Sequence, residues 1–197
     1  MTKIRQSPKL PAEQRREQLL DSARKLFTEK GYRGTSTEEI AANAGLTKGA
    51  LYFHFKSKEE ILLALVKLMS NQFLVALQSL PTPLTPWQVI EAVVCHSPAT
   101  NPREFRSVMD IWVQAMRIPR IRKFIREEHE EKIAYVVKHL DPSFRLTRTE
   151  REQLVVLSFA MCDGIAGRRV FNKESMDVPI QMKLVRSMFQ SLQDKGR

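Results

Sequence analysis

Residues 45–58 read GLTKGALYFHFKSK. Seven of their side chains carry donors suited to an anionic oxygen, among them Thr47, Lys48, Tyr52, His54 and Lys58. Lys48 can meet a phosphate or reach a guanine edge. Tyr52 and His54 hold their donors on rigid rings, a geometry that suits phosphate oxygens. Thr47 and Lys58 fall where helices begin, and the free N–H groups of a first turn attract phosphate. Gly49 has no side chain, so the backbone there can approach a partner closely. Phe53 and Phe55 read as wedges that fix this unit to the rest of the chain. The chemistry is recognition of a polyanion, and residue types alone do not separate base contacts from phosphate contacts.

Chemistry of other kinds lacks its residues. The chain has no GxGxxG, P-loop, GxSxG, HExxH or CxxC pattern, and His54, His96, His129 and His139 share no metal-ligand spacing. Neither an enzyme nor a metal or cofactor site is expected. Cys95 and Cys162 lack paired spacing, which points to a reducing compartment and two small buried hydrophobes. The longest wholly apolar run, ILLALV, is far shorter than the roughly 20 residues of a membrane span. With no apolar leader at the N-terminus, the expected location is the cytoplasm.

The charge agrees with a polyanionic partner. The 197 residues carry a net charge of +10, with 43% hydrophobic residues, enough to build a core. Residues 1–58 hold 12 Lys/Arg against 6 Asp/Glu, so more than half of the excess sits in less than a third of the chain. The anionic partner is therefore expected at the N-terminal part.

The elements that must position these residues read as helices almost throughout, and no stretch sustains strand-like alternation. After a basic arm over 1–10, Leu19, Leu20, Ala23, Leu26 and Phe27 form one apolar stripe in a helix that Gly31 stops. TSTEE offers two overlapping capping boxes, Thr35 with Glu38 and Ser36 with Glu39. A short helix over 37–44 and a second over 48–54 are joined by GLT, a helix-turn-helix spacing. Ile40, Ala41, Leu46 and Leu51 form its inner face. Ser57 with Glu60 caps a long apolar helix ended by PTPLTP at 81–86. Five more helices are expected over 86–97, 102–116, 119–140, 147–171 and 177–194. The class is all-α with about nine helices.

With these residues in register, the chain resembles the DNA-binding domain of TetR-family transcriptional regulators. The resemblance covers roughly residues 14–65 and rests on Gly31-Tyr32, Ile40-Ala41, Ala44-Gly45, Leu51-Tyr52, His54-Phe55 and Lys58-Glu59, with Ser22 before the usual alanine. It implies a bacterial regulator, an all-helical homodimer with one helix-turn-helix per subunit, and a near-palindromic double-stranded DNA operator. It implies a domain at 1–57 that binds DNA and one at 58–197 that binds a small-molecule effector and dimerises. By family precedent Thr35, Thr47, Lys48, Gly49, Tyr52, His54 and Lys58 would touch DNA. Residues 110–140 loosely resemble the C-terminal domain of choline-responsive members, without carrying the ligand over.

In the second half, the helix over 150–171 is apolar nearly all round and must be buried on more than one side. The resemblance implies that it and the last helix form a four-helix dimer interface. Its residues would be Phe159, Gly164, Gly167, Ile180, Leu184 and Met188. Phe105, Met109, Trp112 and Met116 share one face, which suits either a core or an effector pocket; Phe159 is added to the pocket set. Asp110, Gln114, His96 and Asp163 are candidate polar groups for it.

Overall fold

Proline, glycine and capping side chains cut the chain into helices very close to those expected. The structure, a computed structural model, describes residues 11–96, 102–171 and 177–194. Within them lie α1 (Ala12–Lys30), α2 (Thr37–Asn43), α3 (Lys48–His54), α4 (Lys58–Gln78), α5 (Pro86–His96), α6 (Pro102–Arg117), α7 (Pro119–His139), α8 (Arg148–Phe171) and α9 (Val178–Asp194). The described residues include no strand, only one bridge between Leu84 and Leu140 that ties the proline-rich connection to the end of α7.

The caps decide where each helix starts. Of the two overlapping boxes in TSTEE, the structure forms only Ser36 with Glu39. Thr35 instead turns inward and donates to the carbonyls of Leu26 and Gly31. Thr147 and Glu150 close a full box ahead of α8. Ser57 accepts from the Glu60 N–H, while the Glu60 carboxylate reaches past it to the Lys56 N–H. Asp177 caps α9 through the Ile180 N–H.

One core joins α1–α3 to α4, α6 and α7. Leu19, Leu26, Phe27, Ile40, Leu51, Phe55, Ile61, Leu62, Ile111 and Ile121 pack in it together. Ser22, the departure from the usual alanine, is used: its hydroxyl donates to the Ile40 carbonyl at 2.7 Å and accepts from Asn43 at 2.9 Å, locking α1 to α2. Two further clusters fill the space among α4, α5, α7, α8 and α9. By length and hydropathy α4 is apolar enough to cross a membrane, yet its apolar side lies in the core against α1, α5, α6 and α7. Cys162 is buried, and burial, with Asp163 adding to it, pushes its thiol up to about 12. It is an inert small hydrophobe. The side chains of Cys95 and His96 lie outside the described residues.

Candidate nucleic-acid interface

The turn between α2 and α3 is set by backbone alone. The Gly45 N–H donates to the Ala42 carbonyl and the Leu46 N–H to the Ala41 carbonyl, at 3.0 and 2.9 Å. These are the paired bonds of a Schellman ending, with Gly45 at φ +67°. Thr47 then caps α3 by accepting the Ala50 N–H at 3.2 Å. Ile40, Ala41 and Leu51 are buried and Leu46 half-buried, as their spacing predicts.

The opposite face of α3 is open. Thr47, Lys48, Gly49 and Tyr52 are exposed, and His54 is half-exposed with its ring edge-on to Phe53. A Cβ on Gly49 would meet only the Thr47 hydroxyl, at 3.9 Å. Phe53 corrects its expected role: it is 79% exposed and points away from the core, whereas Phe55 is buried under Arg16.

Two further expectations change. Thr35 is only 2% exposed with its hydroxyl committed to carbonyls, so it belongs to the core rather than to the reading surface. Lys58 is half-buried, and its ammonium donates to the carbonyls of Tyr32 and Thr35 at 2.9 and 2.8 Å while lying 4.5 Å from the Tyr32 ring. It fastens the α1–α2 turn to α4 instead of projecting toward a phosphate.

Glu38 enters where Lys58 leaves. It pairs with Lys48 at 2.5 Å across the turn, and Thr37 shares a 3.2 Å hydrogen bond with the Tyr52 hydroxyl. The Lys48 hydrogen bond holds the Glu38 carboxyl down to about 2 from 4.5. A carboxylate held low supports the folded head above pH 4.5 and loses that support as the pH falls toward 2. Lys48 thus waits on the exposed face with a partner that a phosphate would replace. No sequence spacing marks this pair, because the residues are ten apart on different helices.

The two glycines separate folding from contact. Gly45→Ala is expected to destabilise the protein by about 1–2 kcal/mol, because its φ is left-handed. Gly49→Ala is expected to stabilise it by up to about 1 kcal/mol, as alanine does inside a helix, yet to weaken DNA binding by about tenfold or more (about 1.4 kcal/mol). Thermal melts beside gel shifts read both, and normal binding by Gly49→Ala would remove the close approach.

The remaining candidates divide. Of the pocket set, Trp112 lines a cavity of about 60 Å³ between α4, α6 and α7. Met109 and Met116 point outward, 39% and 47% exposed. The Phe105 side chain lies outside the described residues. Phe159 is 7% exposed between Phe73 and His129, which makes it core rather than dimer surface. Asp110 accepts the Tyr32 N–H at 3.1 Å and Gln114 donates to Asp110 at 3.5 Å, so both serve the joint between α6 and the head. Ser107 adds a 2.7 Å hydroxyl contact to Thr28 there. Asp163 stays exposed on α8.

Ile180, Leu184 and Met188 run along α9 at 55%, 59% and 62% exposure, with Leu157 of α8 at 53%. A Cβ at Gly164 would meet nothing within 4 Å, and Gly167 is half-exposed. Ser70, Glu128 and Lys132, none of them among the expected site residues, share the cavity with Trp112. Their signal is a Glu–Lys pair four apart on an otherwise apolar stripe of α7.

A family model for bacterial regulatory proteins of the tetR family matches residues 19–65. The chain is similar to the Transposon Tn10 TetC protein of Escherichia coli, 40% identical over 82 residues, which is 40% of each chain. The matched stretches span two fifths or less of such curated relatives. Among solved structures, a transcriptional regulator of the TerR/AcrR family from Aquifex aeolicus VF5 is 25% identical, with a TM-score of 0.60 over 90% of this chain and 99% of that one. The multidrug binding protein EbrR complexed with malachite green has a TM-score of 0.64 over 90% and 97% at 19% identity, a likeness of fold.

Proposed function

Because the chain carries a TetR-family N-terminal domain over residues 19–65, we propose that it is a DNA-binding transcriptional regulator. In this reading it is a cytoplasmic repressor that binds a near-palindromic operator as a homodimer and is released by a small molecule. The observation that carries the reading is the open face of α3, with Thr47, Lys48, Gly49 and Tyr52 exposed together over a buried Ile40–Leu51 side. Such a helix enters a major groove with its N-terminal residues toward the bases. The exposed row on α8 and α9 supports the dimer, which would place two heads about one helical turn, or a multiple of it, apart.

Release by an effector needs a link between the domains. The contacts Thr28–Ser107 and Tyr32–Asp110 supply one, since any shift of α6 moves the head that α1 carries. An effector with different affinity for the two head positions changes operator affinity by that difference. EbrR, similar in fold, is complexed with malachite green; the corresponding part of this chain is proposed to hold its own effector.

A gel shift with DNA flanking the protein's own gene tests the reading. A retarded band specific to that fragment is expected, and Lys48→Ala should reduce the salt slope by about 1 per subunit. Folded protein that retards no DNA at low salt sinks the proposal. Equal retardation of any sequence would instead indicate an architectural DNA-binding protein.

A further inference from the structure

The inward stripe of α7 runs Ile121, Phe124, Ile125, then Glu128 and Lys132, then Val136. Two charges on such a stripe need a reason, because desolvating an ammonium costs several kcal/mol unless partners replace the water. Lys132 is 8% exposed and Ser70, facing it from α4, 5%. The hydrogen bonds have a direction: the Lys132 ammonium donates to the Ser70 hydroxyl, which donates in turn to Glu128 at 2.7 Å. Glu128 itself is 3.7 Å from the ammonium, beyond a good hydrogen bond. An ammonium has three donors, and the hydrogen bond to Ser70 uses one of them. Burial lowers the Lys132 pKa despite the nearby Glu128.

The cavity beside this group supplies the rest of a site. Val66, Trp112, Phe124 and Ile125 give it apolar walls, and exposed His129 stands at its edge. Its volume of about 60 Å³, at roughly 10–15 Å³ per water-sized position, suits a ligand of about four to six heavy atoms. The spare donors call for acceptor oxygens. A ligand cation would meet Lys132 instead. It would also find two aromatic faces already taken, Phe73 by Lys132 at 5.4 Å and Phe124 by Lys67 at 5.2 Å.

We propose that the cavity between α4, α6 and α7 binds a small monocarboxylate, its carboxylate on Lys132 and its hydrocarbon part against Val66, Trp112 and Phe124. The proposal rests on the reading of this part of the chain as the effector domain and names the effector's class. Trp112 lies two residues past Asp110, and Val66 and Ser70 lie on the helix that Lys58 begins. The ligand therefore touches both helices that hold the DNA-reading head.

The test reads binding without DNA. In a Trp87→Phe background, fluorescence reports Trp112; Trp87 sits elsewhere, against Phe144. Acetate, propionate and butyrate are titrated beside acetamide, propionamide, butyramide and tetramethylammonium. At least one acid should saturate the signal, with its amide and the Lys132→Met variant each weaker by about tenfold or more. Glu128→Gln should bind the acid as well as the parent or better, and it decides the matter should Lys132→Met fail to fold. Equal binding of acid and amide, preference for tetramethylammonium, or saturation by none of the acids would overturn the proposal. Protein that retards operator DNA but binds no acid refutes this inference alone. Protein that binds the acid but no DNA leaves the site and refutes the regulator reading.

Discussion

Replacing both Leu184 and Met188 by aspartate is expected to give a folded monomer whose operator affinity is lower by about 10²–10⁴-fold, the gain that linking two binding modules supplies. Both side chains are more than half exposed within one protomer, so an isolated chain loses little packing by the exchange. In a two-fold interface each substitution appears twice, and each carboxylate would be desolvated in an apolar contact. An unpaired buried charge costs several kcal/mol. Helicity and melting temperature should therefore change little, while light scattering falls to the protomer mass. A double variant that stays dimeric would place the interface elsewhere. A monomer that still binds a palindromic operator tightly would show that pairing of the heads contributes little.

The apolar row of α9 illustrates what a sequence alone reveals. Ile180, Leu184 and Met188 recur every four residues, so helix geometry puts them on one line, and the structure leaves that line open. Phe159 reads as equally apolar but faces Phe73 and His129, because periodicity says which residues share a face and not what the face meets. The same ambiguity governs α6. Met109 and Met116 are large and share a stripe with Trp112, which favours them as an inner face. The buried stripe is instead Ser107, Ile111 and Ala115. Small residues let α6 approach α1 closely enough for the hydroxyls of Ser107 and Thr28 to touch. Close packing of two helices selects for smallness, and a count of large apolar residues overlooks it.

Helix ends were legible because their causes are local. Proline, left-handed glycine and capping side chains act within a few residues of the end they set. The choice between Thr35 and Ser36 as cap was not local. Thr35 is drawn away by two carbonyls of the α1 ending, and that competition exists only after α1 and α2 pack. The Lys48–Glu38 pair shares this property, and so does Ser70 of α4 in its bonds to Glu128 and Lys132 of α7. In each case the partner comes from another helix.

Lys58 gives the sharpest separation between a reading from position and a reading from partners. Its place at the start of α4 suggests a phosphate ligand. A cation at a helix N-terminus opposes the dipole, and burial lowers its pKa further. It is held there by two carbonyls, Tyr32 and Thr35, which its ammonium joins to α4. Lys58→Met keeps the aliphatic stem and removes both bonds, leaving two partly buried acceptors without their donor. The expected loss is about 2 kcal/mol, a fall in melting temperature of about 4–8 °C for a chain of this size. Operator affinity should fall with it, since α2 begins at the turn that Lys58 fastens. The salt slope should not change, because no phosphate contact is lost, whereas Lys48→Ala should lower the slope and shift the melt only slightly, since its exposed pair with Glu38 contributes little. If Lys58→Met instead keeps its melting temperature and loses about one unit of slope, Lys58 swings out to phosphate when DNA binds and the staple is dispensable.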